Sequence, residues 1–204
     1  MSFAGIFRAK NGIAAVVDSK GSINRSGNLE EDIGRNPEKL FPLSDGVAVC
    51  YGCNQILVQN RSKLFSTTVN VEDFIYEYVR THQTLDAAFF EMIQIKMGTN
   101  PDNREPILFI VGRKLWAGNY RIEYHKIGYD YLAMKVGDEN EYAFTGGVDV
   151  YTQAFGRMDF RPYLHDVEEL RKNVVEKLQE CIDFYEHTLS YNPVGRPVKS
   201  FIVR

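Results

Sequence analysis

The sequence predicts an α+β fold in which two stacked antiparallel β-sheets are flanked by helices, a four-layer αββα sandwich. Strand-like and helix-like segments come in runs instead of alternating singly, in the order strands, two helices, strands, two helices, strand. The 204 residues contain no repeat, low-complexity stretch or interdomain linker. We therefore expect a single domain over residues 1–204, long enough to bury a substantial core.

The first half of the chain is predicted to contain four strands and two helices. Asn11-Gly12 lies between two apolar runs and is typical of a tight hairpin turn, because both residues tolerate positive φ. The predicted strands span residues 3–8, 13–17, 39–43 and 47–51, with a polar loop over 24–38 in which a short edge strand is an alternative. One predicted helix runs from a cap at Asn54 to about Phe65. The other covers 71–96 and is broken near residues 81–83.

The second half begins after Gly98, which is predicted to stop the preceding helix. The apolar run 106–111 favours a strand covered on both faces, and Gly112-Arg113-Lys114 is predicted to turn the chain. Further strands are predicted over 115–120, 121–131, 142–148 and 198–203. Helices are predicted over 148–157 and, capped by Asp166, to about residue 189.

Composition excludes several classes of function. The net charge of −3 provides no basic surface for nucleic acid or for an anionic membrane. No apolar run approaches the ~18 residues of a membrane span, and no signal peptide is evident. An odd number of cysteines, three, argues against a secreted disulfide framework. These features predict a cytoplasmic protein.

Ser2 is the first candidate for chemistry. A small second residue permits removal of Met1, which would leave Ser2 with both a hydroxyl and a free α-amine. That amine titrates near pH ~7.7–8.0, so it can accept a proton close to neutrality. The predicted hairpin also brings residue 2 and Asp18 to the same end of the ribbon. An N-terminal hydroxyl activated by its own amine is a known kind of nucleophile.

The pattern around Ser2 resembles the proteasome β-subunit family and its bacterial peptidase relatives, which are N-terminal-nucleophile hydrolases. Asp18 follows Ser2 by sixteen residues, and Lys39 opens a Lys-apolar-x-x-apolar strand. Tyr51-Gly52-Cys53 ends the next strand in a small-residue turn, and Thr145-Gly146-Gly147 ends a later one. The element order matches over almost the whole chain. The family's Asp-x-x-Ser near the end of the last helix has no clean counterpart.

The resemblance implies a role for each matched residue. Ser2 would be the nucleophile, Lys39 would favour its ionised hydroxyl, and Asp18 would orient Lys39. The Gly52 N–H would stabilise the oxyanion, while Thr145 and Gly146 would lie beside the amine. The backbone of the substrate-binding residues would hold an extended peptide by strand addition. Those residues are Lys20, Gly21, Ser22 and Cys53.

The same resemblance implies a peptide or protein substrate and no metal or organic cofactor. It also implies a homo-oligomer, and it leaves open whether this is a ring and whether an unfoldase partner feeds it. Two alternatives share the fold: a catalytically silent structural or binding subunit, and an amidase acting on a small molecule.

Two alternatives come from other chemistry. Cys50-Tyr-Gly-Cys53 is a C-x-x-C motif of the kind used in thiol redox sites, although no βαβ pattern surrounds it and no second ligand pair favours zinc. A Ser-His-Asp triad is a further alternative, but the sequence contains no Gly-x-Ser-x-Gly elbow. The four histidines show no metal-ligand spacing.

Overall fold

The protein, as a computed structural model, contains two large antiparallel β-sheets together with four α-helices in its described part. The structure describes residues 3–25, 28–31, 37–60, 65–137, 143–146, 148–155, 161–188 and 194–204. The helices are α1 (Val71–His82), α2 (Ala87–Met97), α3 (Val148–Phe155) and α4 (Val167–Thr188). None of them combines the length and the apolarity needed to cross a bilayer.

The first sheet has four strands and the second has five. In spatial order the first comprises β12 (Ala143–Gly146), β1 (Ala4–Ala9), β2 (Gly12–Val17) and β13 (Lys199–Val203). The second comprises β11 (Leu132–Val136), β10 (Tyr120–Ile127), β9 (Ile107–Lys114), β6 (Gly46–Gly52) and β5 (Leu40–Leu43). Two separate hairpins are formed by β3 (Ser22–Arg25) with β4 (Asn28–Glu31), and by β7 (Gln55–Gln59) with β8 (Ser66–Asn70).

Three apolar clusters form the core. One joins side chains of the two large sheets, including Ile6, Ile13, Val49, Ile110 and Ile122. A second joins the five-stranded sheet to α1 and α2, and a third joins the four-stranded sheet to α3 and α4. Each sheet therefore contacts the other sheet and two helices through buried apolar side chains. Burial on both faces accounts for the continuous apolar runs of β1, β2 and β9.

The N-terminal hairpin forms as predicted, but with a different turn. Gly12 pairs with Ala9, so Lys10 and Asn11 are the two loop residues, and neither has positive φ. A Cβ on Gly12 would lie 2.5 Å from the Val203 carbonyl oxygen, so glycine is needed here for close approach of β13. The Asn11 side chain instead accepts a hydrogen bond from Val167 N–H, at the start of α4.

The predicted helix over 54–65 is wrong, because the described part of this segment is the strand β7. β7 pairs with β8, and the Asn103 side chain fixes it by bonding both the N–H and the carbonyl of Leu57. Ile56 is buried while Gln55 is exposed, and the β-branched Ile56 and Val58 favour a strand. The break between α1 and α2, the stop at Gly98 and the span of α4 are confirmed.

The predicted turn at Gly112-Arg113-Lys114 is also wrong. β9 continues to Lys114, and the chain turns at Trp116–Gly118. A Cβ on Gly112 would come within 3.0 Å of Ile13 and 3.1 Å of Ile6, across the interface between the sheets. The glycine therefore permits close packing of the sheets and does not make a turn. Within the segment 24–38, part of the predicted loop forms the β3–β4 hairpin.

A buried charge network lies at the end of the second sheet where β9 finishes. Arg113 is 9% exposed, and its Nε lies 3.1 Å from Glu123 Oε2 while its Nη1 lies 2.6 Å from Asp45 Oδ2. The guanidinium also donates to the Thr84 hydroxyl and to the Leu85 carbonyl. These contacts tie β9 to β10, to the turn between β5 and β6, and to the loop that precedes α2.

Glu123 should make folding sensitive to acid. Burial raises the pKa of Glu123, but the hydrogen bond with His125 and the charges of Arg113 and Arg121 outweigh it and lower the pKa from 4.5 to about 2. Because the folded-state pKa is depressed, this stabilisation is present above pH ~4.5 and is lost as the pH falls towards 2. We expect the free energy of unfolding to fall by about 3 kcal/mol over that range.

Urea unfolding measured at several pH values checks this expectation. Glu123→Gln should be less stable at neutral pH and should lose the part of the dependence between pH 4.5 and 2 that Glu123 contributes. Glu180→Gln is the matched control, since the Glu180 side chain is 64% exposed on α4. An unchanged acid profile in Glu123→Gln would contradict the assignment.

Candidate active site

Asp18 is the centre of the candidate active site. It follows β2, is fully buried, and accepts three backbone hydrogen bonds. Phe3 N lies 2.9 Å from Oδ1, while Lys20 N and Gly195 N lie 3.0 and 3.2 Å from Oδ2. The Asp18 N–H in turn donates to the Phe3 carbonyl at 3.1 Å. The carboxylate therefore fixes the start of β1, the end of β2 and the segment after α4 together.

Lys39 is the charged partner of Asp18. Its Nζ lies 2.7 Å from Asp18 Oδ1 and 2.8 Å from the Lys20 carbonyl oxygen, and the residue is 6% exposed. Desolvation by burial lowers the pKa of Lys39, and the Coulombic attraction and hydrogen bond of Asp18 oppose this change. Two of the three ammonium donors are accounted for by these contacts. The structure thus brings two of the predicted catalytic side chains into direct contact.

Ser2, the predicted nucleophile, lies outside the described residues. Its neighbour Phe3 is described, is fully buried, and is held to Asp18 through both its N–H and its carbonyl. Thr145 and Gly146 lie at the end of β12, where Thr145 pairs with Gly5 and Gly146 with Ala4. The backbone of the predicted Thr145-Gly146 element therefore lies beside the first residues of β1.

Gly52, the predicted oxyanion donor, ends β6 with φ +83. A Cβ there would lie 3.1 Å from the Pro106 carbonyl oxygen, so both the backbone conformation and the space favour glycine. Cys50 N–H donates to the Lys39 carbonyl at 2.8 Å, two residues before Gly52. Gly52 thus belongs to the same end of the second sheet as Lys39.

The predicted substrate-binding residues divide into two groups. Lys20 uses its N–H for Asp18 and its carbonyl for Lys39, so its backbone helps to build the charged pair. Gly21 is buried, and Ser22 begins β3, where it pairs with Glu31. Cys53 directly follows β6, and its thiol lies 2.9 Å from the Gln55 carbonyl oxygen.

The segment 194–197 was not predicted from the sequence as part of the site. Besides the Gly195 N–H bond to Asp18, the Ser19 N–H donates to the Gly195 carbonyl at 3.2 Å and the Ser19 hydroxyl donates to the Pro197 carbonyl at 2.7 Å. A Cβ on Gly195 would lie 3.0 Å from Lys20 Cβ. Gly195 and Pro197, between the last helix and the last strand, were the only sequence signal. The segment makes these contacts through its main-chain N–H and carbonyl groups.

The C-x-x-C motif shows no sign of an activated thiol. Cys50, Cys53 and Cys181 are free, and Cys50 is buried. Burial raises the pKa of the Cys50 thiol and also that of Cys53. Thiol redox catalysis needs a readily formed thiolate, which these surroundings disfavour. Within the described ranges, no cluster of three or more His, Cys, Asp or Glu side chains is arranged to hold a metal ion.

Comparison with known proteins supports the fold. No family model matches the chain, and no curated protein matches it by sequence. Among solved structures, it is similar to the Anbu (Gly-1) mutant from Hyphomicrobium sp. strain MC1, with a TM-score of 0.56 and 13% identity. The match covers 100% of this chain and 82% of that one. Anbu is a bacterial proteasome-like protein with the N-terminal-nucleophile hydrolase fold, and the similarity to it concerns the fold alone.

Proposed function

We propose that this chain is a single-domain, proteasome-like N-terminal-nucleophile hydrolase that cleaves amide bonds in peptides, with Ser2 as the nucleophile after Met1 is removed. The observation that carries the proposal is the buried Asp18–Lys39 pair, 2.7 Å apart, whose carboxylate also binds Phe3 N–H. Ser2 is joined to Phe3 by a peptide bond, so its carbonyl carbon lies about 1.3 Å from that nitrogen. The three core clusters support the four-layer αββα order for the fold.

The reaction follows from the proposed groups. The free amine of Ser2 takes the proton from the Ser2 hydroxyl as the oxygen attacks the substrate carbonyl carbon. Lys39 supplies positive charge that stabilises the developing alkoxide, and Asp18 holds Lys39 in place. The Gly52 N–H stabilises the tetrahedral oxyanion. The C–N bond then breaks, the leaving amine takes the proton, and water hydrolyses the resulting ester to regenerate Ser2.

Burial of the pair suits this role. A charged lysine in a water-poor environment acts more strongly on a neighbouring group than the same charge in bulk water. Lys39 is 6% exposed, yet its charge is balanced by a fully buried carboxylate that three backbone N–H groups fix in position. An ion pair held so rigidly needs little reorganisation when negative charge develops on the hydroxyl.

The proposed substrate is an extended peptide. It would add a strand between the backbone of residues 20–22 and that of residues 52–53. We also propose a homo-oligomer, in keeping with the proteasome-like fold, acting in the cytoplasm. The homo-oligomer would be a ring, and an unfoldase would deliver substrate to it.

The N-terminus of the protein purified from its own cells tests the proposal. Intact-mass measurement should show loss of Met1, leaving Ser2 free. An electrophilic peptide such as a peptidyl epoxyketone should then add covalently to the wild-type chain but not to Ser2→Ala. Ser2→Thr is the matched control, because it keeps a hydroxyl and should still be labelled. Retention of Met1 would contradict the proposal that Ser2 is a nucleophile and would favour the alternative of a catalytically silent subunit. Labelling of Ser2→Ala would place the nucleophile elsewhere.

A further inference from the structure

A cavity of about 500 Å³ lies beside the buried charge network of Arg113 and Glu123, between the start of α2 and the strands β10 and β11. We call it the α2–β11 cavity. Its volume is within the ~300–1,000 Å³ that is typical of small-molecule sites. β6 runs from Gly46, which pairs with Arg113 near the cavity, to Gly52 in the candidate active site, roughly 20 Å away at ~3.3 Å per residue. The cavity is therefore separate from the candidate active site.

His125 lines this cavity and is oriented by two neighbours. It is 4% exposed, and its ring stacks on Phe90 of α2 with centroids 3.7 Å apart and an angle of 14° between the planes. Its Nε2 lies 3.3 Å from Glu123 Oε2. The Glu123 carboxylate, whose pKa is lowered to about 2, only accepts hydrogen bonds at neutral pH. Nε2 of the neutral ring therefore carries the hydrogen and Nδ1 is an acceptor, for which no described residue supplies a partner.

Two cationic side chains of the lining have donors to offer. Arg121 Nη2 lies 2.6 Å from Glu123 Oε1, while Arg121 Nε is buried and has no hydrogen-bond partner in the part of the chain that the structure describes. The Arg121 side chain is 42% exposed, so it can turn towards an anion in the cavity, and that turn would give Nε an acceptor. Lys114 is exposed and forms no ion pair with a described residue. Together they can bind one carboxylate.

Asp86 supplies a negative charge to the same cavity. Its Oδ1 accepts hydrogen bonds from Phe89 N–H at 3.1 Å and from the Tyr78 hydroxyl at 2.6 Å. The Tyr78 hydrogen bond lowers the pKa of Asp86, so the carboxylate is charged at neutral pH. A carboxylate has about four acceptor positions, so it retains capacity for a bound ammonium. Phe90 follows Asp86 by four residues and stacks on His125, which brings these two acceptors to one side of the cavity.

The remaining component of the lining is apolar. Met134 and Val136 of β11 are 61% and 44% exposed, and they lie opposite His125 and Glu123 in the β10–β11 pairing. Apolar side chains next to a few polar groups are typical of ligand sites, where the apolar part buries the ligand and the polar groups orient it.

We propose that the α2–β11 cavity binds a free apolar α-amino acid of the size of leucine. Lys114 and Arg121 bind its carboxylate. Asp86 and the Nδ1 atom of His125 accept hydrogen bonds from its ammonium, and its side chain packs on the apolar side chains of β11. The unpaired Nε of Arg121 and the unpaired Nδ1 of His125 then both have partners. The proposal does not involve Ser2, so its outcome is separate from that of the proposed hydrolase.

The charge of the lining favours this class of ligand. Three carboxylates are balanced by three cationic side chains, and His125 is neutral when its Nδ1 accepts a hydrogen bond. A zwitterion keeps this balance, whereas a phosphate ester or a polyamine would bring unbalanced charge into a partly buried site. The carboxylates are those of Asp45, Asp86 and Glu123, and the cations are Arg113, Lys114 and Arg121.

Isothermal titration calorimetry of the full chain gives the first test. Leucine should bind in the micromolar to millimolar range, with one site per chain. Isocaproate lacks the ammonium and isoamylamine lacks the carboxylate, so each should bind at least about tenfold more weakly, the effect of losing one charge-assisted hydrogen bond. Absence of leucine binding would overturn the proposal, and so would binding of either analogue as tight as that of leucine.

Two variants locate the bound amino acid. Met134→Trp should remove measurable leucine binding, because the larger side chain fills the cavity, and Lys114→Gln should weaken it by about tenfold. Ile95→Trp is the matched control for the first, since Ile95 is 66% exposed on α2 and is not among the described lining residues. Lys172→Gln is the control for the second, since the Lys172 side chain is 72% exposed on α4. Circular dichroism checks that all four variants fold. Unchanged leucine affinity in Met134→Trp would overturn the proposal.

Nitrogen NMR of the histidine rings tests the contact with the ammonium. Leucine should shift the Nδ1 resonance of His125, because this acceptor gains a donor, and isocaproate should shift it far less. His187 is the internal control, because it is exposed on α4 and its Nδ1 lies 2.6 Å from the Asp183 carbonyl oxygen. A His125 resonance that saturating leucine leaves unchanged would overturn the assignment of His125 as an acceptor for the ligand.

Discussion

Replacing Asp18 with alanine is expected to lower the free energy of unfolding by about 3–5 kcal/mol, the usual effect of breaking a buried ion pair. Two costs add. The Lys39 ammonium, 6% exposed, would lose its anionic partner, and the N–H groups of Phe3, Lys20 and Gly195 would lose their acceptors. A buried donor left unsatisfied costs about 1–3 kcal/mol. Urea denaturation at neutral pH measures the difference.

The partner residue should show a smaller effect. In Lys39→Met the Asp18 carboxylate keeps its three backbone donors, and the methionine fills much of the lysine volume. We therefore expect Lys39→Met to destabilise the protein less than Asp18→Ala, by about 1–3 kcal/mol. Asp18→Asn keeps the shape but not the charge and should fall between the two. Equal losses in Asp18→Ala and Lys39→Met would show that the backbone donors contribute little.

Peptide hydrolysis should depend on Lys39. If Lys39 stabilises the developing alkoxide of Ser2, Lys39→Met should reduce kcat/KM by about 10²–10³-fold, as removal of an electrostatic stabiliser does. Covalent labelling of Ser2 should slow by a similar factor. Lys199→Met is the matched control. Lys199 lies on β13, its side chain is 38% exposed, and it forms an ion pair with Glu38. Full activity in a folded Lys39→Met variant would remove Lys39 from the mechanism.

Blocking the amine of Ser2 is expected to be as damaging as removing its hydroxyl. A chain in which one additional residue stays ahead of Ser2 keeps the hydroxyl but loses the free α-amine that accepts the proton. We expect both this extended chain and Ser2→Ala to lose at least about 10³-fold in kcat, the scale seen when a nucleophile or its base is removed. Peptide hydrolysis by chains of verified N-terminal mass measures the loss.

The extended chain separates two explanations of inactivity. If the amine is the base, enzymatic removal of the added residue should restore activity without any change in sequence. If another group is the base, the extension should reduce activity by obstruction alone, and a single added glycine should then be better tolerated than a bulkier residue. Activity of the glycine-extended chain within a few-fold of wild type would show that the amine is not required.

Much of the fold could be predicted because local signals and packing agree. The hairpin β1–β2, the break between α1 and α2 and the capped helix α4 each combine hydrophobic periodicity with a strong turn or cap signal. The helix predicted over 54–65 failed because a short apolar run has no clear period. Its strand pairs with β8 and bonds to Asn103, which lies more than forty residues further along the chain. The turn predictions at Gly12 and Gly112 were inaccurate for the same reason, since both glycines allow close packing with distant segments.

The candidate chemistry can be predicted from residue order alone: a hydroxyl at residue 2, a carboxylate sixteen residues later, and a lysine opening the next apolar strand. Their order along the chain is enough to suggest the site, because antiparallel strands bring their ends together. The direct contact between Asp18 and Lys39, and the hydrogen bond from the Gly195 N–H to Asp18, 177 residues away along the chain, become visible in the folded chain. Almost every residue type carries a backbone N–H, so the residue type of Gly195 does not indicate that it donates a hydrogen bond to Asp18. Such contacts arise only when packing brings distant segments within hydrogen-bonding distance.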